Sequence, residues 1–108
     1  MSRGDFVTIA MQGDFGKPRP ALVIQSDPFI EHATVTVLLV SGALVDAPLL
    51  RVTIEPSEIN GLQKPSQLMI DKAMTVKRDK LGAAFGSATA EAMLEIGRCL
   101  DVFLGIAR

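Results

Sequence analysis

The chain has 108 residues, which suffice for one domain with a single hydrophobic core and are too few for two. One cysteine and one histidine exclude an internal disulfide and the usual zinc clusters, and the net charge of −1 argues against a non-specific nucleic-acid binder. No stretch reaches the roughly 20 apolar residues of a membrane helix, and no signal peptide is recognisable. We therefore expect a single domain over 1–108 in a reducing cytoplasm.

Short strands separated by turn residues are predicted over the first three quarters of the chain. Alternating side chains predict a strand at 5–11, and a polar loop rich in glycine and proline follows at 12–20. A short helical turn is predicted at 56–60, because Pro56 suits a helix start and Gly61 a helix end. Segments rich in β-branched and aliphatic residues predict four further strands, at 20–26, 34–41, 50–54 and 68–76.

The only long helix is predicted at 89–106. Thr89 is suited to cap its first turn, and Gly105 lies near its exit. Apolar residues recur at helical spacing and are expected to face the core: Met93, Ile96, Leu100, Phe103 and Leu104. Five strands and a terminal helix predict a mainly β (α+β) fold, an SH3-like five-stranded antiparallel barrel with a C-terminal α-helix.

Three polar residues interrupt the strand pattern. Arg19 lies between Pro18 and Pro20, which stiffen the backbone, so its guanidinium is either a presented phosphate ligand or a plain surface arginine. Ser41 ends an apolar strand and either binds a phosphate oxygen or closes the strand end through its own backbone. Asp71 stands within an apolar strand, where a carboxylate faces solvent, pairs with a cation or performs chemistry.

Several short segments follow one another in a characteristic order. Arg-Gly-Asp at 3–5 precedes an apolar strand, a Gly-rich loop and then Pro-Arg-Pro-Ala-Leu-Val-Ile at 18–24. The matching segments further along are Val-Ser-Gly at 40–42, Ile-Asp-Lys at 70–72 with Thr-Val at 75–76, and Lys-Leu-Gly at 80–82. In order and spacing, over almost the whole chain, this arrangement resembles the MazF/PemK/Kid family of type II toxin–antitoxin toxins.

The resemblance implies an SH3-like or CcdB-like barrel that acts as a homodimeric endoribonuclease on single-stranded RNA, often mRNA. It also implies a cognate antitoxin that covers the RNA groove, and no metal or cofactor. Arg19 matches the catalytic arginine of the family, Ser41 its active-site hydroxyl residue and Asp71 its acidic residue. The ribose 2′-hydroxyl is then the nucleophile, and the products carry a 2′,3′-cyclic phosphate and a 5′-hydroxyl.

Further RNA contacts are expected from the first loop and from the residue after Asp71. Phe15 either stacks on a base, which is worth roughly 1–3 kcal/mol, or tucks back onto the barrel. Lys17 is either a phosphate contact or a solvated loop residue. The expected RNA-binding residues are Gln12, Asp14, Phe15, Lys17 and Lys72.

Three positions depart from the family pattern. Lys72 stands where the family has glutamine, Met69 where some members have arginine, and Leu39 where a proline is common. An inactive family member is therefore one alternative, and a CcdB-like protein that binds gyrase without catalysis is another, because fold alone does not determine activity. An SH3-like interaction module is a third alternative, disfavoured because the chain has five Phe and no Tyr or Trp to line a ligand groove.

Overall fold

In the computed structural model, which describes residues 1–10 and 17–107, six antiparallel strands form one sheet that carries a C-terminal helix. The strands are β1 (Asp5–Ala10), β2 (Pro18–Val23), β3 (Thr34–Ser41), β4 (Arg51–Ile54), β5 (Ser66–Lys77) and β6 (Leu81–Ser87), and the helix is α1 (Ala90–Phe103). The spatial order is β4-β5-β3-β2-β1-β6. Single 3₁₀ turns occur at Asp27–Phe29 and Arg78–Lys80. No helix among the described residues is long and apolar enough to cross a membrane.

The predicted fold class is confirmed, with one more strand than expected. The additional strand, β6, has the sequence Leu-Gly-Ala-Ala-Phe-Gly-Ser, which lacks the β-branched residues that mark strands. Pairing with β1 creates it, with Ala84 opposite Val7 and Gly86 opposite Phe6. Its small residues allow the close approach that this pairing requires, so local propensity gave no signal for it.

Apolar residues are buried on both faces of the sheet. Phe6, Leu22 and Leu38 are register partners on one face, where Ile96 and Cys99 of α1 pack against them. The opposite face has its own buried cluster, which Met74 and Val76 of β5 and Leu81 of β6 help to cover: Val7, Ile9, Ala21, Val23, Val35 and Val37. Since β5 and β6 flank the inner strands and are joined by the turn at Arg78–Lys80, the sheet curls around this second cluster.

The helix begins where the sequence predicts and ends at Phe103, three residues before the predicted end. The Thr89 hydroxyl accepts a hydrogen bond from the Ala92 amide (3.1 Å), and Gly105 follows the helix with a φ of +76°. The predicted core stripe is correct as far as Leu100 and wrong beyond it, because Phe103 is 49% and Leu104 62% exposed. The last turn of α1 extends past the strands and leaves an apolar surface on the outside of the molecule.

Two other local predictions hold only in part. The turn predicted at 56–60 is present and ends at Gly61, whose amide donates to the Ser57 carbonyl (3.0 Å) and whose φ is +69°. It does not become a helix, because side chains bind the backbone: the Ser57 amide donates to Asn60 Oδ1 (3.0 Å) and the Asn60 amide to Ser57 Oγ (3.1 Å). The second strand spans Pro18–Val23 instead of 20–26. It ends early because the 3₁₀ turn at Asp27–Phe29 redirects the chain.

The turn around Asn60 covers the outer edge of β6, and this contact predicts a cost for enlarging Gly86. A Cβ on Gly86 would overlap the Asn60 carbonyl group, and the turn is held there because the Ser87 amide donates to the Ile59 carbonyl (2.9 Å). We expect Gly86→Ala to lower the free energy of unfolding by about 1–3 kcal/mol in urea denaturation. The control is Gly97→Ala within α1, where the nearest atom to the added Cβ is 3.9 Å away. Equal stability of the two variants would contradict the close contact between Gly86 and the Asn60 carbonyl group.

Candidate functional site

Arg19 and Ser41 lie at the same end of two neighbouring strands. Arg19 is the second residue of β2, opposite Ile9 of β1. The β2–β3 ladder pairs Ala21 with Leu39, so continuing that register by two residues brings Arg19 level with Ser41. Side chains two residues apart in a strand share a face. Both side chains therefore belong to the face that holds Ala21 and Leu39.

Asp71 lies in a bulge of β5, on the next strand of the sheet. The β3–β5 ladder passes from Leu38–Ala73 directly to Val40–Leu68, so residues 69–72 stand opposite a single residue of β3. Bulges re-aim side chains away from the regular alternation. In this bulge the Lys72 ammonium lies 3.3 Å from an Asp71 carboxylate oxygen. Of the roles considered for Asp71, pairing with a cation is the one present in this structure.

The Ser41 hydroxyl closes the end of its strand. It accepts a hydrogen bond from the Ala43 amide (3.1 Å) and donates one to the Ala43 carbonyl (3.3 Å). The sequence allowed two roles for Ser41, phosphate binding and closure of the strand end, and the second is the one that the structure has. The hydroxyl lies at the half-exposed end of the strand, and the bond that it donates is the longer of the two.

A buried glutamine holds the turn after Ser41, and sequence reasoning missed it. Gln67 pairs with Ser41 across the ladder and is 5% exposed. Its side-chain oxygen accepts from the Val45 amide (3.0 Å) and from Arg51 Nη1 (3.3 Å), and its nitrogen donates to the Val45 carbonyl (3.0 Å) and Thr53 Oγ1 (3.1 Å). The available signal was a glutamine in the buried strand segment Ser-Gln-Leu-Met-Ile.

Cations gather around this end of the sheet although the whole chain has a net charge of −1. Lys17 precedes β2 and is exposed, and Arg51 at the start of β4 donates to the Ala43 carbonyl (3.3 Å) as well as to Gln67. Arg19 and Lys72 are further cations on β2 and β5, and the Lys72 ammonium is paired with Asp71. A polar cavity of about 360 Å³ includes Arg51 and Gln67 in its wall, together with the acidic residues Asp46 and Glu95.

Three of the predicted RNA-binding residues, Gln12, Asp14 and Phe15, lie outside the described residues. Their contact with RNA stays a prediction. Within the described ranges no three His, Cys, Asp or Glu side chains converge as ligands for a metal ion.

Cys99 is a packing residue rather than a nucleophile. It is 5% exposed and belongs to the hydrophobic cluster between α1 and the sheet. Burial raises the pKa of the Cys99 thiol, and the nearby Glu95 carboxylate raises it further. A raised pKa keeps the sulfur protonated near neutral pH, so the reactive thiolate is scarce.

An apolar cavity lies on another part of the surface. It has a volume of about 400 Å³ and lies between the segment 47–50 and the last turn of α1, where Val102 and Phe103 form one wall. Leu49, 65% exposed, stands at its edge. Exposed apolar surface of this kind is typical of a protein interface.

Comparison with known proteins gives consistent matches over the full length. Residues 2–104 match the family model of the PemK-like, MazF-like toxins of type II toxin–antitoxin systems. The "Probable endoribonuclease MazF" of Mycolicibacterium smegmatis is 48% identical over 108 residues, which cover 99% of each chain. Among solved structures, a mycobacterial endoribonuclease in complex with its cognate antitoxin superposes with a TM-score of 0.83 at 22% identity, covering 100% of this chain and 98% of that one. MazE–MazF from Deinococcus radiodurans has a TM-score of 0.79 at 21% identity, with 99% and 97% covered.

Proposed function

Since the chain belongs to the PemK-like, MazF-like family of type II toxin–antitoxin toxins, we propose that it is an endoribonuclease that cleaves single-stranded RNA at a short recognition sequence. The observation that carries the proposal is the full-length similarity, at 48% identity, to a protein named as an endoribonuclease. The arrangement of Arg19, Ser41 and Asp71 on three neighbouring strands supports it.

Cleavage requires no nucleophile from the protein, because the ribose 2′-hydroxyl attacks the adjacent phosphorus. Negative charge then grows on the phosphorane oxygens, and the Arg19 guanidinium offers several donors for them. Ser41 positions the phosphate once its hydroxyl turns from the Ala43 carbonyl to a phosphate oxygen. The bond to the 5′-oxygen breaks last, which leaves a 2′,3′-cyclic phosphate and a 5′-hydroxyl.

Two protons move in this reaction. A base removes the 2′-hydroxyl proton, and an acid protonates the leaving 5′-oxygen. Asp71 is the candidate base, and it alternatively holds the RNA or orients Arg19. Its carboxylate lies 3.3 Å from the Lys72 ammonium, so the two side chains are held together on β5. Arg19 is the candidate acid as well as the charge stabiliser.

The protein is proposed to act as a single-domain homodimer in the cytoplasm, where its RNA substrate is found, and to be inhibited by a cognate antitoxin. The apolar surface formed by 47–50 and the end of α1 supports a protein partner, because the chain leaves it exposed. The solved relatives include one in complex with its cognate antitoxin.

The decisive experiment is cleavage of a defined RNA in the presence of EDTA, followed by chemical mapping of both new ends. We expect cuts at a short recurring sequence, with a 2′,3′-cyclic phosphate on one product and a 5′-hydroxyl on the other. The matched control is the same RNA with a 2′-deoxyribose on the 5′ side of the cut, which removes the nucleophile and is expected to stay intact. Cleavage of the deoxy substrate would contradict the mechanism. Intact RNA together with inhibition of gyrase supercoiling would instead support a CcdB-like toxin.

A further inference from the structure

The side chain of Lys64 lies across Gly42, the residue that directly follows Ser41. A Cβ built on Gly42 would be 2.6 Å from both Cε and Nζ of Lys64. The ammonium group therefore occupies the space in which any other residue at this position would hold its side chain. Lys64 is exposed, and within the described part of the chain no carboxylate lies at ion-pair distance from it. A cation without an acidic partner thus borders the candidate site.

Gly42 is not required by the backbone. Positive φ angles that favour glycine occur at three glycines of the described chain, and Gly42 is not among them. Because Gly42 has no Cβ, it leaves a space that the end of the Lys64 side chain occupies. The lysine backbone is also held, because Ser66 at the start of β5 donates its hydroxyl to the Lys64 carbonyl (2.9 Å). The contact is therefore formed between two anchored segments, the end of β3 and the start of β5.

We propose that Lys64 binds an RNA phosphate adjacent to the scissile one, a substrate contact that rests on the proposed function. Gly42 lies one residue beyond Ser41, so an RNA backbone held at Ser41 passes the Lys64 ammonium as it continues past the end of β3. An ammonium is a compact charge that accepts a phosphate oxygen without a fixed geometry. Lys64 accordingly contributes affinity for the backbone and does not read bases.

The test is RNA binding as a function of salt concentration. The probe is an RNA oligonucleotide spanning a mapped cut, with 2′-deoxyribose on the 5′ side of the scissile phosphate to prevent cleavage. Lys64→Gln is expected to raise Kd about 5-fold at 0.1 M salt and to reduce the slope of log Kd against log salt by about 0.7, the value for one phosphate contact on a single strand. With cleavable RNA, Lys64→Gln is expected to raise KM and leave kcat unchanged, because the contact stabilises the ground state and the transition state equally.

Two further variants make the test specific. Lys77→Gln removes the same charge at the other end of the same ladder, where Lys77 pairs with Thr34, and is expected to leave the slope unchanged. Gly42→Ala is expected to displace the ammonium and weaken binding in the presence of Lys64, but to have no effect in the Lys64→Gln background.

The outcomes separate this inference from the proposed function. If the wild-type protein cuts RNA while Lys64→Gln behaves like Lys77→Gln, the phosphate contact is overturned and the ribonuclease stands. If Gly42→Ala changes Kd equally in the wild type and in Lys64→Gln, the phosphate contact of Lys64 is also overturned. A wild-type protein that cuts no RNA overturns the proposed function and this inference with it.

Discussion

Replacing Arg19 with alanine is expected to lower kcat for RNA cleavage by about 10²–10³-fold or more, the effect of removing one preorganised donor to a developing negative charge. Arg19 supplies two such donors in a planar fork. Its side chain is exposed and belongs to neither hydrophobic cluster. We therefore expect the thermal midpoint of the variant to change little. The measurement is the initial rate of cleavage of a defined RNA in EDTA, together with a thermal melt.

Two comparisons show whether the loss belongs to the guanidinium. Arg19→Lys keeps the charge and loses the fork, so it is expected to recover only part of the activity. Arg98→Ala removes another exposed arginine, on α1, where its pair with Glu95 (3.3 Å) is a surface contact, and this variant is expected to cleave as the wild type does. Cleavage near the wild-type rate by a folded Arg19→Ala protein would remove the central assignment of the proposed mechanism.

Replacing Ile96 with alanine is expected to cost about 2–5 kcal/mol of unfolding free energy, the range found for deleting a large buried aliphatic side chain. Ile96 is fully buried and belongs to the cluster that contains Phe6 and Leu38. It is one of only two buried residues in the described helix, the other being Cys99. The anchoring of α1 on the sheet is thus concentrated in very few side chains. The loss is measured by urea denaturation at a fixed protein concentration, because the proposed dimerisation would make stability concentration-dependent.

Leu94→Ala is the matched control for this prediction. It truncates a side chain of the same helix that is 68% exposed, and is expected to change the unfolding free energy by less than about 0.5 kcal/mol. Equal losses in the two variants would mean that the helix packs differently from the arrangement described. A loss for Leu94→Ala that grows with protein concentration would instead identify Leu94 as part of a subunit interface.

The sequence predicts those elements whose local pattern agrees with their tertiary role. β3 was predicted at 34–41 with its exact ends, because a run of β-branched and aliphatic residues stands between two polar segments. The cap of α1 was predicted correctly because Thr89 satisfies a free helix amide through a purely local bond. β6 was missed because it consists mainly of small residues and becomes a strand only through its partner β1. The formation of β6 depends on pairing with residues that are far away in the sequence, and a local hydrophobic pattern does not predict such pairing.

The candidate site was predictable only in part. Arg19, Ser41 and Asp71 are candidates because each interrupts an apolar pattern, and the family resemblance implies their roles, which stay predictions. The support beneath them was not found. Gln67 is an ordinary strand residue until the ladder brings it opposite Ser41. Lys64 gave no signal either, since an exposed lysine before a proline is unremarkable until its ammonium is found against Gly42.

The bulge in β5 has a consequence for how this protein can diversify. Leu68 and Ile70 pack into one hydrophobic cluster and Met74 and Val76 into the other, so the strand changes faces between them. The intervening residues at 71–73 belong to neither cluster, and mutations there leave both cores intact. Exchanges at Lys72 and Ala73 are therefore compatible with both cores, whereas Asp71 is restricted by its proposed role in the reaction. Lys72, one of the departures from the family pattern, is an exchange that this segment permits.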